Sequence, residues 1–410
     1  MNARGRAPLL ALFAANAVSL SGNVAALVAI PWFVLQTTGS ATKTGITAFA
    51  GLLPVVLSGL FGGALVDRLG YRRTSIVADV ASALAVAAIP LLHATVGLEF
   101  WQLVVLVFLG GLLDAPGGTA RAALLPDVAA GAGWSFERAT GATAVVERFA
   151  RLAGAPLAGV LIAATGATNV LWIDAGSFLV SAALVAVGVP RPAVEREPRK
   201  TSYRRELREG YAFLRADRTL AVLVFIVSLT NLFDAVAMIA LPVLAHDVYE
   251  SALSLGLMTA AGGAGSVLGA LAFAAIGHRL SRRAVFTWGF ILVTISFPVA
   301  ALFPPLMVLL VAKTISGLAS GPLNPVIDTV FMERVPAGMR GRVFGVTQAA
   351  AWVAIPLGVL VAGAVIEAIG LRATLLLSGA AYLTITIGAR FSNALRDLDR
   401  RPELVSEEAA

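Results

Sequence analysis

The stretch PLLALFAANAVSLSGNVAALVAIPWFVLQ, residues 8–36, holds no charged side chain. As an α-helix it is long enough to cross the hydrocarbon core of a bilayer. Eleven further apolar stretches follow it, at 41–66, 74–95, 100–125, 139–165, 168–189, 219–246, 252–277, 284–303, 304–330, 341–367 and 371–391. Hydrocarbon offers no water to bond backbone N–H and C=O groups, so each crossing must satisfy them internally as a helix. The composition agrees, with 58% hydrophobic and 13% charged residues and a mean hydropathy of +0.85, where soluble domains hold roughly 25% charged residues. The expected fold class is an all-α membrane protein with twelve transmembrane helices.

Most connections are too short for a soluble catalytic domain, so function is expected inside the bundle or at its mouths. The exception is the segment 190–218, Pro- and charge-rich at first, with a possible amphipathic helix from Tyr203 to Leu214 placing Leu207, Tyr211 and Leu214 on one face. Arg4 and Arg6 precede the first apolar run as in a signal peptide. That run is too long for an h-region and no small-residue cleavage site closes it, so it reads as a retained spanning helix. The chain has no cysteine, and His93, His246 and His278 lie far apart near helix ends, so neither a metal site nor a cofactor is expected. Abundant alanine and 28 arginines against three lysines suggest a GC-rich bacterial genome.

The net charge of +7 could suggest nucleic acid as a partner, but its distribution points to a membrane surface instead. With the N-terminus inside, inner segments hold 26 of the 31 Lys and Arg, Arg121 and Arg138 among them, and outer loops hold only Lys43 and Arg372. Such a split is the positive-inside pattern and puts both termini in the cytoplasm. The expected domains are an N-terminal six-helix bundle, 1–189; a cytoplasmic linker, 190–218; a C-terminal six-helix bundle, 219–391; and a cytoplasmic tail, 392–410. The halves repeat one another. Gly70 to Arg73 after helix 2 matches Gly277 to Arg279 after helix 8, Arg138 and Gly141 match Arg342 and Gly345, and Pro156 matches Pro356. Repeats of this kind place a binding site between the halves at the midplane.

The sequence Gly63-Ala-Leu-Val-Asp67-Arg-Leu-Gly70-Tyr-Arg72-Arg73 between helices 2 and 3 resembles the signature loop of the major facilitator superfamily. In that superfamily the loop is taken as a latch on the outward-facing state. Ala123-Leu-Leu-Pro126-Asp127, Arg151-Leu-Ala-Gly154-Ala-Pro156-Leu-Ala-Gly159, Ser177-Phe-Leu-Val-Ser181 and Met339-Arg-Gly-Arg342-Val-Phe-Gly345 resemble its drug and macrolide efflux branch. The resemblance implies two pseudo-symmetric six-helix bundles, alternating access and proton-coupled export of lipophilic or amphipathic small molecules. It spans essentially the whole chain, with two departures. The helix 5 antiporter motif has Ala155-Pro156 for Gly-Pro, and helix 4 lacks the buried arginine of many antiporters, holding Asp114 instead.

Ionisable residues at bilayer depth are costly and so are functional candidates. Asp114, mid-helix 4, is the first choice for a proton site, the alternative being a structural hydrogen bond. Glu147 on helix 5 shares a face with Arg151 at i, i+4 and is a second proton candidate, with Arg148 and Arg151 as charge partners and a permanent salt bridge as the alternative. Asp234 on helix 7, beside Asn231, is the third, for protons or a cationic substrate, with Lys313 on helix 10 as partner. Asp174 and Asp328 are weaker candidates, and Asp79 reads as packing. Asn16, Ser19 and Asn23 share a face of helix 1 and, with Asn231 and Phe233, are cavity candidates. Trp32, Phe33, Phe225, Trp288 and Trp352 could wall a greasy pocket. The Gly262-Gly-Ala-Gly265-Ser-Val-Leu-Gly269 run follows no strand, so it reads as helix packing and not as a nucleotide loop. No Walker motif and no clustered catalytic set is present, so an enzyme is not expected. The expected partners are a small-molecule substrate, protons and membrane lipids, with no nucleic acid and a monomeric state. A symporter or facilitator for a polar nutrient and a lipid-handling membrane protein are the alternatives.

Overall fold

The computed structural model describes residues 3–190, 203–391 and 398. The first part of the linker, most of the tail and the side chains of 3–5, 59–69, 203–204, 206–207 and 337 lie outside the described residues, among them Gly63 and Asp67 of the signature loop and Leu207 of the expected amphipathic face. The described chain holds α1 (Ala3–Thr38), α2 (Ala41–Leu69), α3 (Tyr71–Thr95), α4 (Phe100–Gly131), α5 (Phe136–Thr165) and α6 (Ala167–Gly188). It continues with α7 (Tyr203–Ala216), α8 (Arg218–Asp247), α9 (Ala252–Ile276), α10 (Arg282–Val293) and α11 (Ser296–Ala301). The last helices are α12 (Leu306–Ser320), α13 (Leu323–Arg334), α14 (Arg340–Ile369) and α15 (Leu371–Arg390). Among the described residues there is no strand.

Eleven spans are long and apolar enough to cross a membrane, α10 with α11 and α12 with α13 each counting as one. The twelfth, α5, misses that standard because Glu137, Arg138, Glu147, Arg148 and Arg151 fall within it. The ninth and tenth expected helices are each broken. Pro298 has no N–H for the carbonyl of Thr294, and the chain there tightens to i, i+3 bonds such as Phe297 N to Thr294 O. Pro322 follows Gly321 at the second break, where Gly321 lies against the backbone of Ser266 and Ala270 on α9. The repeat reaches the backbone too. Gly166, between α5 and α6, has φ 88° and ψ 155°, and Gly370, between α14 and α15, has φ 84° and ψ 157°. Both are left-handed-side turns that favour glycine.

The chain divides into two compact units: residues 1–200, 238–260 and 359–368, and residues 201–237, 261–358 and 369–410. In the first, α1 packs on α5 and α6, α3 on α4 and α6, and α2 on α4. One end is closed by an apolar cluster of Leu9, Leu12, Leu124, Val128, Val185 and Val189 with Phe13 and Trp134 against it. Arg72, from the signature loop, donates to Ala186 O in the last turn of α6 and to the carbonyl of Val189, the residue just past it, at 2.7 Å, and so caps that helix.

In the second unit Tyr382 is fully buried among Phe233, Phe290 and Phe297, with ring centroids 6.1 to 6.4 Å apart. Gly262, Gly265 and Gly269 of α9 face Thr314, Gly317, Leu318 and Gly321 backbone to backbone. Here α7 is tied to the start of α14. Gly210 sits against Arg342 O, and Glu209 accepts from Arg342 Nη1 at 2.5 Å and from Arg205 Nε at 2.8 Å. The hydrogen bond from Arg205, helped by the charge of Arg342, holds the Glu209 carboxyl below the ordinary glutamate range. The packed side of α7 therefore runs through Gly210 and Leu214, while Tyr211 is exposed.

At Gly265, Gly269 and Gly317 the α9–α12 seam leaves no room for a β-carbon, because the nearest atoms are rigid backbone. Gly317→Ala should cost about 1–3 kcal/mol, read as a lowered melting temperature in detergent. Gly118→Ala, where nothing lies within 4 Å of the added carbon, should leave it unchanged.

Candidate functional site

Polar side chains from four helices of the first unit meet in one buried cluster. Arg121 of α4 is 5% exposed and Asp79 of α3 is 0% exposed, and Arg121 Nη1 donates to Asp79 Oδ1 at 2.6 Å. Ser181 of α6 donates to the other oxygen of Asp79 at 2.7 Å. Arg121 Nη2 donates to Ser19 Oγ of α1 at 3.2 Å. Asp79 thus has a cation and a hydroxyl on its two oxygens, the arrangement that a buried carboxylate requires.

Asp114 is held differently. Asn23 Nδ2 of α1 donates to its Oδ2 at 2.9 Å. Its Oδ1 lies 3.9 Å from Arg121 Nη2 and accepts no hydrogen bond. The side chain is 24% exposed. Asp174 of α6 is buried beside it in the electrostatic sense, and its Oδ1 also lacks a hydrogen-bond partner. Gly22 makes the room for this corner, since a β-carbon there would strike Asp174 and Ser177. Two carboxyls, Asp79 and Asp114, therefore share the Arg121 guanidinium, and Asp174 lies within electrostatic reach of Asp114.

In the second unit Asp234 of α8 is exposed and Lys313 of α12 half-buried. Each acts on the other electrostatically, and no ion pair closes between them among the described residues. Asn231, one turn before Asp234, donates to Ala351 O of α14 at 3.1 Å, and the Phe233 ring meets Tyr382. Asn16 is half-buried on α1. On α5, Glu147 is half-buried while Arg148 and Arg151 are exposed, and no ion pair joins them among the described residues. Of the aromatics, Trp32 and Phe33 are buried, whereas Phe225, Trp288 and Trp352 are exposed.

Two residues are placed differently from the sequence reading. Arg121, counted with the cytoplasmic charges, lies inside the protein, so helix 4 does carry a buried arginine. The reason is length: α4 runs to Gly131, six residues beyond the expected end, which draws Arg121 into the bundle. Asp79, read as packing, is its counter-ion. One signal was available, since Arg121 follows Asp114 by two helical turns and so shares its face. The pairing with Asp79 and Ser181 is long-range and left no local signature.

The sequence profile of the family described as transmembrane secretion effector matches residues 7–408. The multidrug efflux pump Tap of Mycolicibacterium fortuitum is 35% identical over 404 residues, 96% of this chain and 98% of its own. Macrolide efflux protein A of Streptococcus pyogenes is 23% identical over 392 residues, 95% of this chain and 96% of its own. Among solved structures, the nucleoside transporter NupG superposes with a TM-score of 0.78 at 13% identity, covering 95% of this chain and 98% of that one. A bacterial homologue of the human lysosomal transporter Spinster gives 0.71 at 15% identity, covering 97% and 98%. Those likenesses show the twelve-helix fold, and the sequence matches show the lineage. The chain is a multi-pass membrane transporter, not an enzyme, and belongs to the transmembrane secretion effector family, within the drug and macrolide efflux-like branch of the major facilitator superfamily.

Proposed function

We propose that this protein is a proton-driven antiporter that exports lipophilic or amphipathic small molecules across the bacterial cytoplasmic membrane by alternating access. Its six-helix halves rock about a central cavity, and both termini lie inside. Export of drug-like molecules is what the names of the sequence relatives support. The coupling rests on one observation: Asp114 is partly exposed, with one oxygen held by Asn23 and the other free beside an arginine already engaged by Asp79.

Ionised, Asp114 competes with Asp79 and Ser19 for the Arg121 guanidinium. Protonated, it releases Arg121 to them entirely. A proton therefore changes both the net charge of a poorly solvated cluster and the balance of contacts on Arg121. Because that cluster spans α1, α3, α4 and α6, a differential interaction of this kind can bias the inward–outward equilibrium. Asp79, fully paired, is the structural member. Asp234 and Glu147 remain the secondary acids, with Lys313 opposing Asp234; Arg72 and Arg73 of the signature loop belong to the gate.

Accumulation of a panel of lipophilic dyes and macrolides in an efflux-deficient bacterium tests this reading. Cells expressing the protein should accumulate less of at least one compound, and a protonophore should erase the difference. Asp114→Asn should return accumulation to the level of cells without the protein while leaving the folded yield unchanged. If no compound in the panel responds, multidrug export is wrong; if the protonophore has no effect, proton coupling is wrong. Asp79→Ala should act otherwise, destabilising the fold by about 3–5 kcal/mol because it strands Arg121, read as a lower melting temperature and yield.

A further inference from the structure

The short helix α7 is clasped to α14 by one side and leaves the other side uncovered. Leu214 is buried, Glu209 turns to Arg342, and a β-carbon on Gly210 would meet Arg342 O and the Val346 side chain. On the opposite side Arg208, Tyr211, Ala212 and Arg215 fall at i, i+3, i+4 and i+7, and all of them are exposed. Arg205 extends this row by one turn, with its side chain 81% exposed. Arg208 and Arg215 make no hydrogen bond or ion pair among the described residues. Glu209, at the flank, is already engaged by Arg205 and Arg342. Guanidinium groups and one phenol thus share a face on which no described carboxylate answers them.

The depth of this face follows from α14. That helix opens with Arg340 and Arg342 and turns apolar from Val343. A spanning helix makes such a change where the headgroups give way to hydrocarbon. Gly210 packs across the change, between Arg342 and Val346, so α7 lies at the membrane surface. We propose that the exposed face of α7 is a docking surface for anionic phospholipid headgroups of the inner leaflet, resting on the orientation proposed above in which the linker lies inside. An arginine stays charged and offers phosphate oxygens paired N–H donors in one plane. Tyr211 supplies a ring for the acyl boundary and a hydroxyl for the headgroups. The docked face is wired to a spanning helix, because Glu209 accepts from Arg205 on one oxygen and from Arg342 of α14 on the other. Lipid charge therefore holds the inner end of α14 as well as α7.

The absence of native cysteine makes the test direct. Ala216→Cys, exposed at the edge of the basic face, carries a polarity-sensitive fluorophore. The full chain is placed in nanodiscs of phosphatidylcholine, alone or mixed with phosphatidylglycerol. Quenching by acrylamide, which bears no charge, reads how freely water reaches the label. Phosphatidylglycerol should cut quenching several-fold, and high salt should restore it. Arg208→Gln combined with Arg215→Gln should abolish the protection without lowering the melting temperature in detergent, since neither side chain holds a contact in the fold. Arg208→Lys combined with Arg215→Lys should keep most of it. Equal quenching of the parent in the two lipids, or equal protection of the parent and the Gln variant, would overturn the docking surface. Equal protection by free glycerol phosphate over phosphatidylcholine would assign the face to a soluble anion and overturn the lipid. Nanodiscs open both sides of the membrane and the assay needs no substrate, so its failure is distinguishable from a failure of the export reading or of the orientation.

Discussion

A guanidinium inside a membrane-spanning bundle is the constraint from which the first unit follows. Arg121 cannot lose its charge, so the fold must supply an acid for it. Asp79 does this at full burial, Ser181 and Ser19 complete the shell, and four helices are thereby fixed about a single point. With that pairing satisfied, Asp114 becomes surplus. It sits one guanidinium nitrogen away from neutrality and keeps an oxygen free. Asp79 and Asp114 are thus told apart by which of them occupies the same arginine.

The second unit solves its packing by other means. Its seam is made of glycines and its interior of aromatic rings around Tyr382. Where helices approach so closely, backbone dipoles and van der Waals contact replace side-chain networks. Asp234 and Lys313 are the exception, two opposite charges at bilayer depth that sense one another without closing. The units therefore differ in chemistry although their turns repeat, down to the matched conformations of Gly166 and Gly370.

Most of the architecture was legible because hydrophobic length is a local property. The spans and the small-residue reading of Gly262 to Gly269 follow from residues close in sequence. The breaks at Pro298 and Pro322 were legible in principle, since each proline removes a donor, but apolar continuity masked them. The buried cluster was half visible. Asn23, Ser19 and Asp114 stood out as polar groups in apolar helices, but Ser19, read as lining a cavity, is fully buried against Arg121. Arg121 was misplaced because a charge near a helix end resembles a loop charge until the helix is known to continue, as α4 does to Gly131; Asp79 was read as packing, and only its partner was not foreseen.

The unusual polarity of α5 bears on how the chain is made. A segment with charges at Glu147, Arg148 and Arg151 partitions poorly into lipid by itself. Yet α5 packs against α1, α4 and α6, and Gly154 seats the Val24 side chain of α1. Its entry into the bilayer during synthesis is therefore a collective event. Helices made earlier must wait beside the translocation channel until α5 emerges, and α6 must follow promptly to cover it. Biogenesis of the N-terminal half then has an obligatory order, written into the least apolar of its helices.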